Sequence, residues 1–259
     1  MPAWSRYIHE ICGFDLDNSK GYLIQTRLCV LLRETGSENY YELLYKVKSN
    51  PDNALRTKVI DLVTTNETSF FRDISPFELI KYKLLPELID RRSQNWMYPI
   101  PVRILSAACS TGQEVYSTAI VLKEILGDFR DYDIRILGID ISDQAVARAS
   151  YAHFSRLELD RGMTSDKLKY YFEPVGERWK VCDELRSIVS FRRGNLLDSI
   201  TSTALYDIIF CRNVAIYFTE ADKIRLFKNL AKMLDKDGAL IIGSTESITG
   251  LCPEFEPKR

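Results

Sequence analysis

Residues 103–112 read Arg-Ile-Leu-Ser-Ala-Ala-Cys-Ser-Thr-Gly, a short apolar run that passes into small residues. A helical pattern starts directly afterwards at Gln113, so the stretch predicts a strand, a tight loop and a helix. Small residues at such a crossing let a ligand approach the backbone. The loop has only one glycine, Gly112, and therefore lacks the G-x-G-x-x-G pattern that cradles a pyrophosphate. A nucleoside without phosphates fits this loop better than a dinucleotide.

After this stretch, strands and helices alternate, which predicts an α/β fold with a parallel sheet covered on both faces. The predicted strands span residues 102–106, 134–140, 188–192, 206–211 and 239–244. The predicted helices between them span residues 113–126, 142–151 and 220–234, the last followed by an Asp237-Gly238 turn. Residues 160–185 interrupt the alternation, and Trp179-Lys180-Val181 predicts a short strand in an inserted hairpin.

The amino-terminal half has a different pattern, with apolar residues three and four apart, as in Trp4, Tyr7, Ile8 and Ile11. This spacing predicts a small helical bundle. A further helix is predicted over residues 76–92, with Ser75 as its N-cap and proline at its first position. The predicted division is a helical domain over 1–75, a helix and linker over 76–100, and a ligand-binding domain over 101–259 with an inserted β unit at about 160–190.

The composition excludes several classes of function. The net charge of −1 lacks the broad positive field of a nucleic-acid binder, so we expect no nucleic-acid partner. No apolar run is long enough for membrane insertion, and the first residues show no export signal. Six scattered cysteines are typical of reduced thiols in a cytoplasmic protein. Two histidines, far apart and without ligand partners, predict no metal site and no Ser/His/Asp triad.

Two acidic residues follow the first two strands of the predicted sheet. Asp140 ends the second strand, where α/β nucleotide folds place a carboxylate on ribose hydroxyls. Taken alone, an aspartate there is equally well a helix cap or a turn residue. Glu114 lies in the first turn of the helix after the loop, where the alternative to a ligand contact is a solvated acid stabilised by the helix dipole.

Residues 64–73 read Thr-Thr-Asn-Glu-Thr-Ser-Phe-Phe-Arg-Asp, a string too polar for a core strand and too aromatic for an idle loop. Asn66, Thr68 and Arg72 offer amide, hydroxyl and guanidinium groups that suit a small polar ligand, while the two phenylalanines anchor the segment. The alternative is a linker pinned by those phenylalanines.

Residues 208–218 read Ile-Ile-Phe-Cys-Arg-Asn-Val-Ala-Ile-Tyr-Phe, a buried strand followed by a polar pair and an aromatic pair. The carboxyl end of a parallel strand faces the ligand crevice, which places Asn213 and Tyr217 near a substrate. The alternative for the aromatic pair is a role in the core.

In their order and spacing, residues 64–72, 106–117 and 210–218 resemble the chemotaxis receptor glutamate O-methyltransferase family, and the resemblance covers nearly the whole chain. It implies a Rossmann-like S-adenosylmethionine methyltransferase sheet with a small all-α amino-terminal domain and an inserted β-hairpin. It also implies methyl transfer from S-adenosyl-L-methionine to glutamate side chains of methyl-accepting chemotaxis receptors, leaving S-adenosyl-L-homocysteine. The implied cofactor-binding residues are Asn66, Thr68, Arg72, Glu114, Asp140, Asn195, Leu196, Asn213 and Val214.

The chemistry of this acceptor agrees with the motifs. A glutamate side chain has a reference pKa of about 4.3, so it is an anion at neutral pH and attacks a methyl group without a general base. A dry, aligned pocket is then the main catalytic need. We expect Arg72 to hold the cofactor and steer the glutamate, since a tight bidentate pair would stabilise the ground state. We expect the Tyr217 hydroxyl to position the incoming carboxylate.

A basic helix near the amino terminus is the expected partner surface. Lys20, Arg27 and Arg33 lie on it, and their charges form either a solvated face or a docking face. By the resemblance, Arg27 and Arg33 match basic positions that bind the cytoplasmic helices of the receptor. The expected enzyme is a monomer.

The chain departs from the family in three places. Gln113 and Val115 stand where a second acid and a proline are common beside Glu114. The hairpin between Phe172 and Trp179 is shorter than in relatives that dock a receptor's carboxyl-terminal pentapeptide, which argues against that tether. The chain also ends soon after its fifth strand, where a final antiparallel hairpin is usual, so we expect a truncated chain. Two alternatives keep the same pocket: a non-catalytic S-adenosylmethionine-binding module that acts through a protein partner, and methylation of RNA or a small metabolite.

Overall fold

The computed structural model describes residues 1–16, 21–198 and 205–257. Its amino-terminal part is a bundle of helices, as the apolar spacing predicts: α1 (Pro2–Cys12), α2 (Gly21–Glu34), α3 (Tyr40–Ser49) and α4 (Ala54–Val63). The side chains of Ile8, Leu28 and Leu43 are fully buried where these helices meet. Their core is continuous with apolar residues of the carboxyl-terminal half, so the bundle and the sheet domain are packed together.

Gly13 forms part of the junction between the two halves. It ends α1 with a φ of 79°, in the left-handed region that glycine adopts without strain. A Cβ atom at this position would lie 2.2 Å from the side chain of Leu197, which follows a strand of the sheet domain. The turn and the close approach therefore both require glycine here.

The rest of the chain alternates helices and strands. In order, its elements are α5 (Ser75–Leu79), a π-helical turn (Ile80–Leu84), α6 (Leu85–Gln94), β1 (Ile100–Ala107), α7 (Gln113–Leu126), β2 (Tyr132–Asp140), α8 (Asp143–Tyr151), β3 (His153–Ser155), α9 (Arg156–Asp160), α10 (Ser165–Tyr171), β4 (Phe172–Val175), β5 (Arg178–Val181), α11 (Asp183–Ser187), β6 (Val189–Arg193), β7 (Tyr206–Cys211), a 3₁₀ turn (Ala215–Tyr217), α12 (Glu220–Ala231) and β8 (Leu234–Ile242). This alternation confirms the predicted α/β class.

The main sheet has five strands in the order β6-β2-β1-β7-β8, and every neighbouring pair is parallel. Ile104 and Leu105 of the central strand β1 point to opposite faces and are both fully buried, as expected for a sheet covered on both sides. Because the strands are parallel, the carboxyl ends of β1, β2 and β7 lie at one edge. The loops that follow these three strands therefore come together there.

The inserted unit is a small antiparallel sheet in the order β3-β5-β4. Its strand β5 confirms the short strand predicted around Trp179, and β3 is a third strand that the sequence did not indicate. Phe154 and Phe172 from this sheet pack against Phe70, with ring centroids 4.9 Å and 5.6 Å apart. The small sheet thus covers the segment that precedes α5.

Several predicted boundaries were wrong, most clearly at Ser75 and at the last helix and strand. Ser75 is the first residue of α5 and caps nothing, because the carbonyl of Ile74 already accepts the amides of Phe77 and Glu78. The helix expected over 220–234 ends at Ala231, because pairing with Tyr206 extends the last strand back to Leu234. The Asp237-Gly238 pair therefore lies inside β8, near a shift of register.

Within residues 1–16, 21–198 and 205–257, no helix has the length and apolarity needed to cross a membrane. The same ranges hold no group of three His, Cys, Asp or Glu side chains placed to bind a metal.

Candidate active site

A cleft of about 900 Å³, including its open mouth, lies at the edge where β1, β2 and β7 end. The segment 64–72 forms its opposite side, and Phe14 of the amino-terminal domain also lines it. The structure brings every predicted cofactor residue and Tyr217 into this one cleft: Asn66, Thr68, Arg72, Glu114, Asp140, Asn195, Leu196, Asn213, Val214 and Tyr217. Residues from five separate parts of the sequence therefore share one site.

Asp140 ends β2 at the inner part of the cleft. One carboxylate oxygen accepts the amide of Ser110 at 2.8 Å, and the other accepts the amide of Ser142 at 2.9 Å. Burial raises the pKa of Asp140, and these backbone hydrogen bonds act in the opposite direction. The helix-cap interpretation is wrong for Asp140, because the N-cap of α8 is Ser142, whose hydroxyl accepts the amide of Ala145.

The loop after β1 has an unusual backbone that points polar groups into the cleft. Ala108, Ser110 and Gly112 all have positive φ, at 62°, 51° and 95°. The hydroxyl of Ser110 is buried and has no hydrogen-bond partner in the described part of the chain. A buried, unpaired polar group next to a cleft indicates a bound ligand or water. Together with the Asp140 carboxylate, this hydroxyl suits the hydroxyl-rich ribose of a nucleoside.

Glu114 is not the solvated acid that its helical position allowed. Its side chain is only 14% exposed. It accepts a hydrogen bond from the Ser106 hydroxyl at 2.7 Å and one from the Arg212 guanidinium at 3.0 Å. Burial raises the pKa of Glu114, and the positive charge of Arg212 partly offsets this effect. The carboxylate is therefore held in place at the cleft wall by a buried ion pair.

Arg212 is a site residue that the sequence analysis did not single out. Its side chain is 3% exposed and joins Glu114 to Asp73, whose carboxylate it also contacts. A third hydrogen bond of the guanidinium runs to the backbone carbonyl of Arg72 at 3.4 Å. The available signal was its place between a buried strand and Asn213, since a charged residue there requires a partner.

Segment 64–73 is a wall of the cleft and no idle linker. Arg27 of α2 donates hydrogen bonds to the carbonyl of Val63 and, at 2.9 Å, to the hydroxyl of Thr65. Phe70 is 1% exposed, and the Phe71 amide donates to the Ser117 hydroxyl at 3.0 Å. Both ends and the middle of the segment are thus fixed by contacts from distant elements.

The two arginines predicted to dock the receptor, Arg27 and Arg33, differ in their exposure to solvent. The guanidinium of Arg27 is turned inward to Val63 and Thr65, whereas Arg33 is exposed in the last turn of α2. Lys20 lies outside the described residues. Of the two arginines, only Arg33 is exposed.

Tyr217 lies at the cleft and also packs against an aromatic residue of the amino-terminal domain. It ends the 3₁₀ turn after β7, lines the cleft and packs against Phe14 with ring centroids 5.3 Å apart. Its carbonyl accepts the amide of Asp15 at 2.8 Å. The amino-terminal domain therefore helps to hold this tyrosine at the cleft.

Asp61 of α4 is a second residue that the sequence did not reveal. Its carboxylate accepts the Ser142 hydroxyl at 2.7 Å and the Gln144 amide at 3.3 Å. It thus supports the N-terminus of α8 from the other domain, next to Asp140. Nothing in the local pattern of α4 indicates this contact, since its partners are more than 80 positions away.

The loop after β6 lines the cleft beside the carboxyl end of β2. The Gly194 amide donates to the Asp140 carbonyl at 2.9 Å, which keeps Asn195 and Leu196 beside the end of β2. The side-chain amide of Asn229 donates to the carbonyls of Leu196 and Leu197 at 3.1 Å and 3.2 Å.

Two protein families match this chain, one over the helical bundle and one over the remainder that contains the sheet. Residues 2–64 match the family described as "CheR methyltransferase, all-alpha domain", and residues 66–258 match "CheR methyltransferase, SAM binding domain". "Chemotaxis protein methyltransferase Cher2" of Pseudomonas putida is 35% identical over 255 residues, covering 96% of this chain and 90% of that protein. "Chemotaxis protein methyltransferase" of Vibrio parahaemolyticus is 36% identical over 259 residues, covering 99% and 92%.

Proposed function

Since the chain belongs to the CheR methyltransferase family and S-adenosylmethionine is its cofactor, we propose that it methylates glutamate side chains of chemotaxis receptors. The supporting observation is a cleft that gathers every predicted cofactor residue but neither of the two histidines, His9 and His153. Such a site suits an acceptor that is already an anion. A glutamate carboxylate meets this condition at neutral pH.

The residues of the cleft fit the cofactor. S-adenosylmethionine supplies a methyl group bound to a positively charged sulfur. The Asp140 carboxylate and the unpaired Ser110 hydroxyl would hold the ribose hydroxyls, with Asn195 and Leu196 beside them. The Glu114 carboxylate would face the cationic part of the cofactor. Arg212 keeps that carboxylate in place.

For the acceptor, the chain would supply orientation and a dry environment. Arg72 lies at the cleft, where one guanidinium nitrogen donates to the Glu67 carbonyl at 3.0 Å. This bond limits how fully Arg72 can pair with an incoming carboxylate, which favours steering over clamping. Tyr217, Phe14 and Phe218 line the cleft and would exclude water, and the Tyr217 hydroxyl would position the glutamate.

The acceptor would be a glutamate on the cytoplasmic helices of a receptor, with the enzyme acting as a cytoplasmic monomer. The names of the relatives refer to chemotaxis, and the exposed Arg33 on α2 offers a cation to an acidic helix. The guanidinium of Arg27 is bonded to Thr65 of segment 64–73. Arg27 would therefore hold that segment in place as well as contribute to the docking surface.

Transfer of labelled methyl to receptor-containing membranes tests the proposal. The expected product is an ester, which releases labelled methanol in mild alkali, and membranes without receptors serve as the control. Label that survives alkali as a stable N-methyl group would contradict the glutamate assignment. Cofactor binding without any transfer would support the non-catalytic module instead.

A further inference from the structure

Glu246, in the loop after β8, makes an uncommon set of contacts behind the cleft. Its carboxylate accepts four backbone amides: Asn213 at 2.7 Å, Val214 at 3.1 Å, Ala215 at 2.9 Å and Gly243 at 2.9 Å. Three of these amides are consecutive, and successive backbone amides that converge in this way form an anion-binding concavity. The carboxylate therefore fills a nest made by the turn that follows β7.

This turn carries residues that line the cleft, whereas Glu246 itself does not line it. Asn213 has a φ of 58°, a left-handed conformation that a residue with a side chain adopts at a cost. Charge-assisted bonds to the amides of Asn213 and its two successors offset that cost. The same turn leads into the 3₁₀ turn that carries Tyr217.

Gly243 is the second part of the arrangement. A Cβ atom there would lie 2.6 Å from the Glu246 carboxylate and 3.2 Å from the Asn213 amide nitrogen. Its φ is not in the left-handed region, so alanine is compatible with its backbone. An alanine side chain would nevertheless push the carboxylate away from the turn. Glycine is therefore required for the close approach of Glu246.

We propose that Glu246 is a positioning residue for the cofactor: it fixes the turn 213–215 from behind, so that Asn213 and Val214 keep their place at the cleft wall. The inference rests on cofactor binding by the family and does not depend on which acceptor is methylated. Glutamine at this position would aim an amide N–H₂ group at backbone donors, so Glu246→Gln releases part of the turn.

Calorimetry with S-adenosylhomocysteine tests this without any receptor. We expect Glu246→Gln to weaken the binding of S-adenosylhomocysteine about tenfold or more. That loss is about equal to the free energy of one strong hydrogen bond. Gly243→Ala should weaken it in the same direction, because it displaces the same carboxylate. Glu254→Gln is the matched control: Glu254 is an exposed acid of the same carboxyl-terminal segment, bonded to Cys252 and outside the cleft, and its loss should leave affinity unchanged.

Hydrogen exchange separates positioning from a general loss of structure. In Glu246→Gln, the amides of residues 213–215 should exchange faster while those of Ile208 and Ile209 in β7 stay protected. If the enzyme is active on receptors, KM for the cofactor should rise more than kcat falls. The proposal is overturned if both variants bind S-adenosylhomocysteine like the wild type, or if they lose protection throughout β7.

Discussion

The two walls of the cleft are built in different ways. The sheet wall, residues 106–114 and 138–142, is formed by strands and a helix of the main fold, and its Asp140 carboxylate accepts the Ser110 and Ser142 amides of the same wall. The segment wall, residues 64–73, has no strand or helix and depends on side chains from elsewhere, chiefly Arg27, Phe154 and Arg212. Geometry at the first wall therefore follows from the fold. At the second it depends on a few contacts that single substitutions can remove.

The largest expected effect comes from Arg212, which joins the two walls. Arg212→Met would leave Glu114 buried without its cation and would release Asp73. Breaking a buried ion pair by removing one partner costs about 3–5 kcal/mol, so the free energy of unfolding should fall by that order. Urea denaturation measures it, with the exposed Arg33→Met as the control. A change in the free energy of unfolding below about 1 kcal/mol would show that contacts other than those of Arg212 hold the two walls together.

The sheet wall is tested at Asp140. Asp140→Ala removes the proposed ribose contact, and loss of a hydrogen bond to a charged group costs about 1.5–3 kcal/mol of binding free energy. Calorimetry should show this loss for both S-adenosylmethionine and S-adenosylhomocysteine. Asp133→Ala is the control, because Asp133 lies near the opposite end of the same strand and pairs with Arg103. Unchanged affinity in Asp140→Ala would remove this residue from the site.

The segment wall is tested by treating the two arginines of α2 separately. Arg27→Gln should weaken cofactor binding by about 0.5–1.5 kcal/mol, because it loosens the attachment of Thr65 to α2. Arg33→Gln should leave cofactor affinity unchanged and weaken receptor methylation, with a loss that shrinks as salt is raised. If Arg27→Gln and Arg33→Gln changed cofactor affinity and receptor methylation equally, the assignment of Arg27 to the segment wall and Arg33 to docking would be contradicted.

The smallest effect is a difference in pH dependence. Burial raises the pKa of Asp140, so its contribution to stability is complete below its unfolded pKa of about 3.9 and is lost as pH rises through the folded value. A hydrogen bond from Arg161 lowers the pKa of Glu67, so its contribution is present above about pH 4.3 and is lost as pH falls. Unfolding free energies of Asp140→Asn and Glu67→Gln, measured from pH 3 to 7 against the wild type, should show opposite trends. Parallel trends would contradict this assignment.

Sequence periodicity predicted the strands and the helix of the sheet wall well. The segment wall could be recognised only by its mixture of polar and aromatic residues. The bounds of β7 and α7 agree with their predicted ranges, because a buried apolar run and a helical repeat are local signals. Arg212, Asp61 and Glu246 were missed because their roles are defined by partners far away in the chain. Local patterns carry no information about such pairs, and the family resemblance supplied the list of cleft residues without explaining what holds them.

The bond between Asp61 and Ser142 ties the all-α domain to the side of the cleft that holds Asp140. Any rotation that parts α4 from α8 must break it, and it must also disturb Ser142, whose amide holds Asp140. If Asp140 binds the cofactor, we expect the orientation of α4 against α8 to be coupled to cofactor affinity, and such a coupling is reciprocal. A bound cofactor would then restrain movement of α4 relative to α8, and a partner that holds α4 in place would raise cofactor affinity by the same factor.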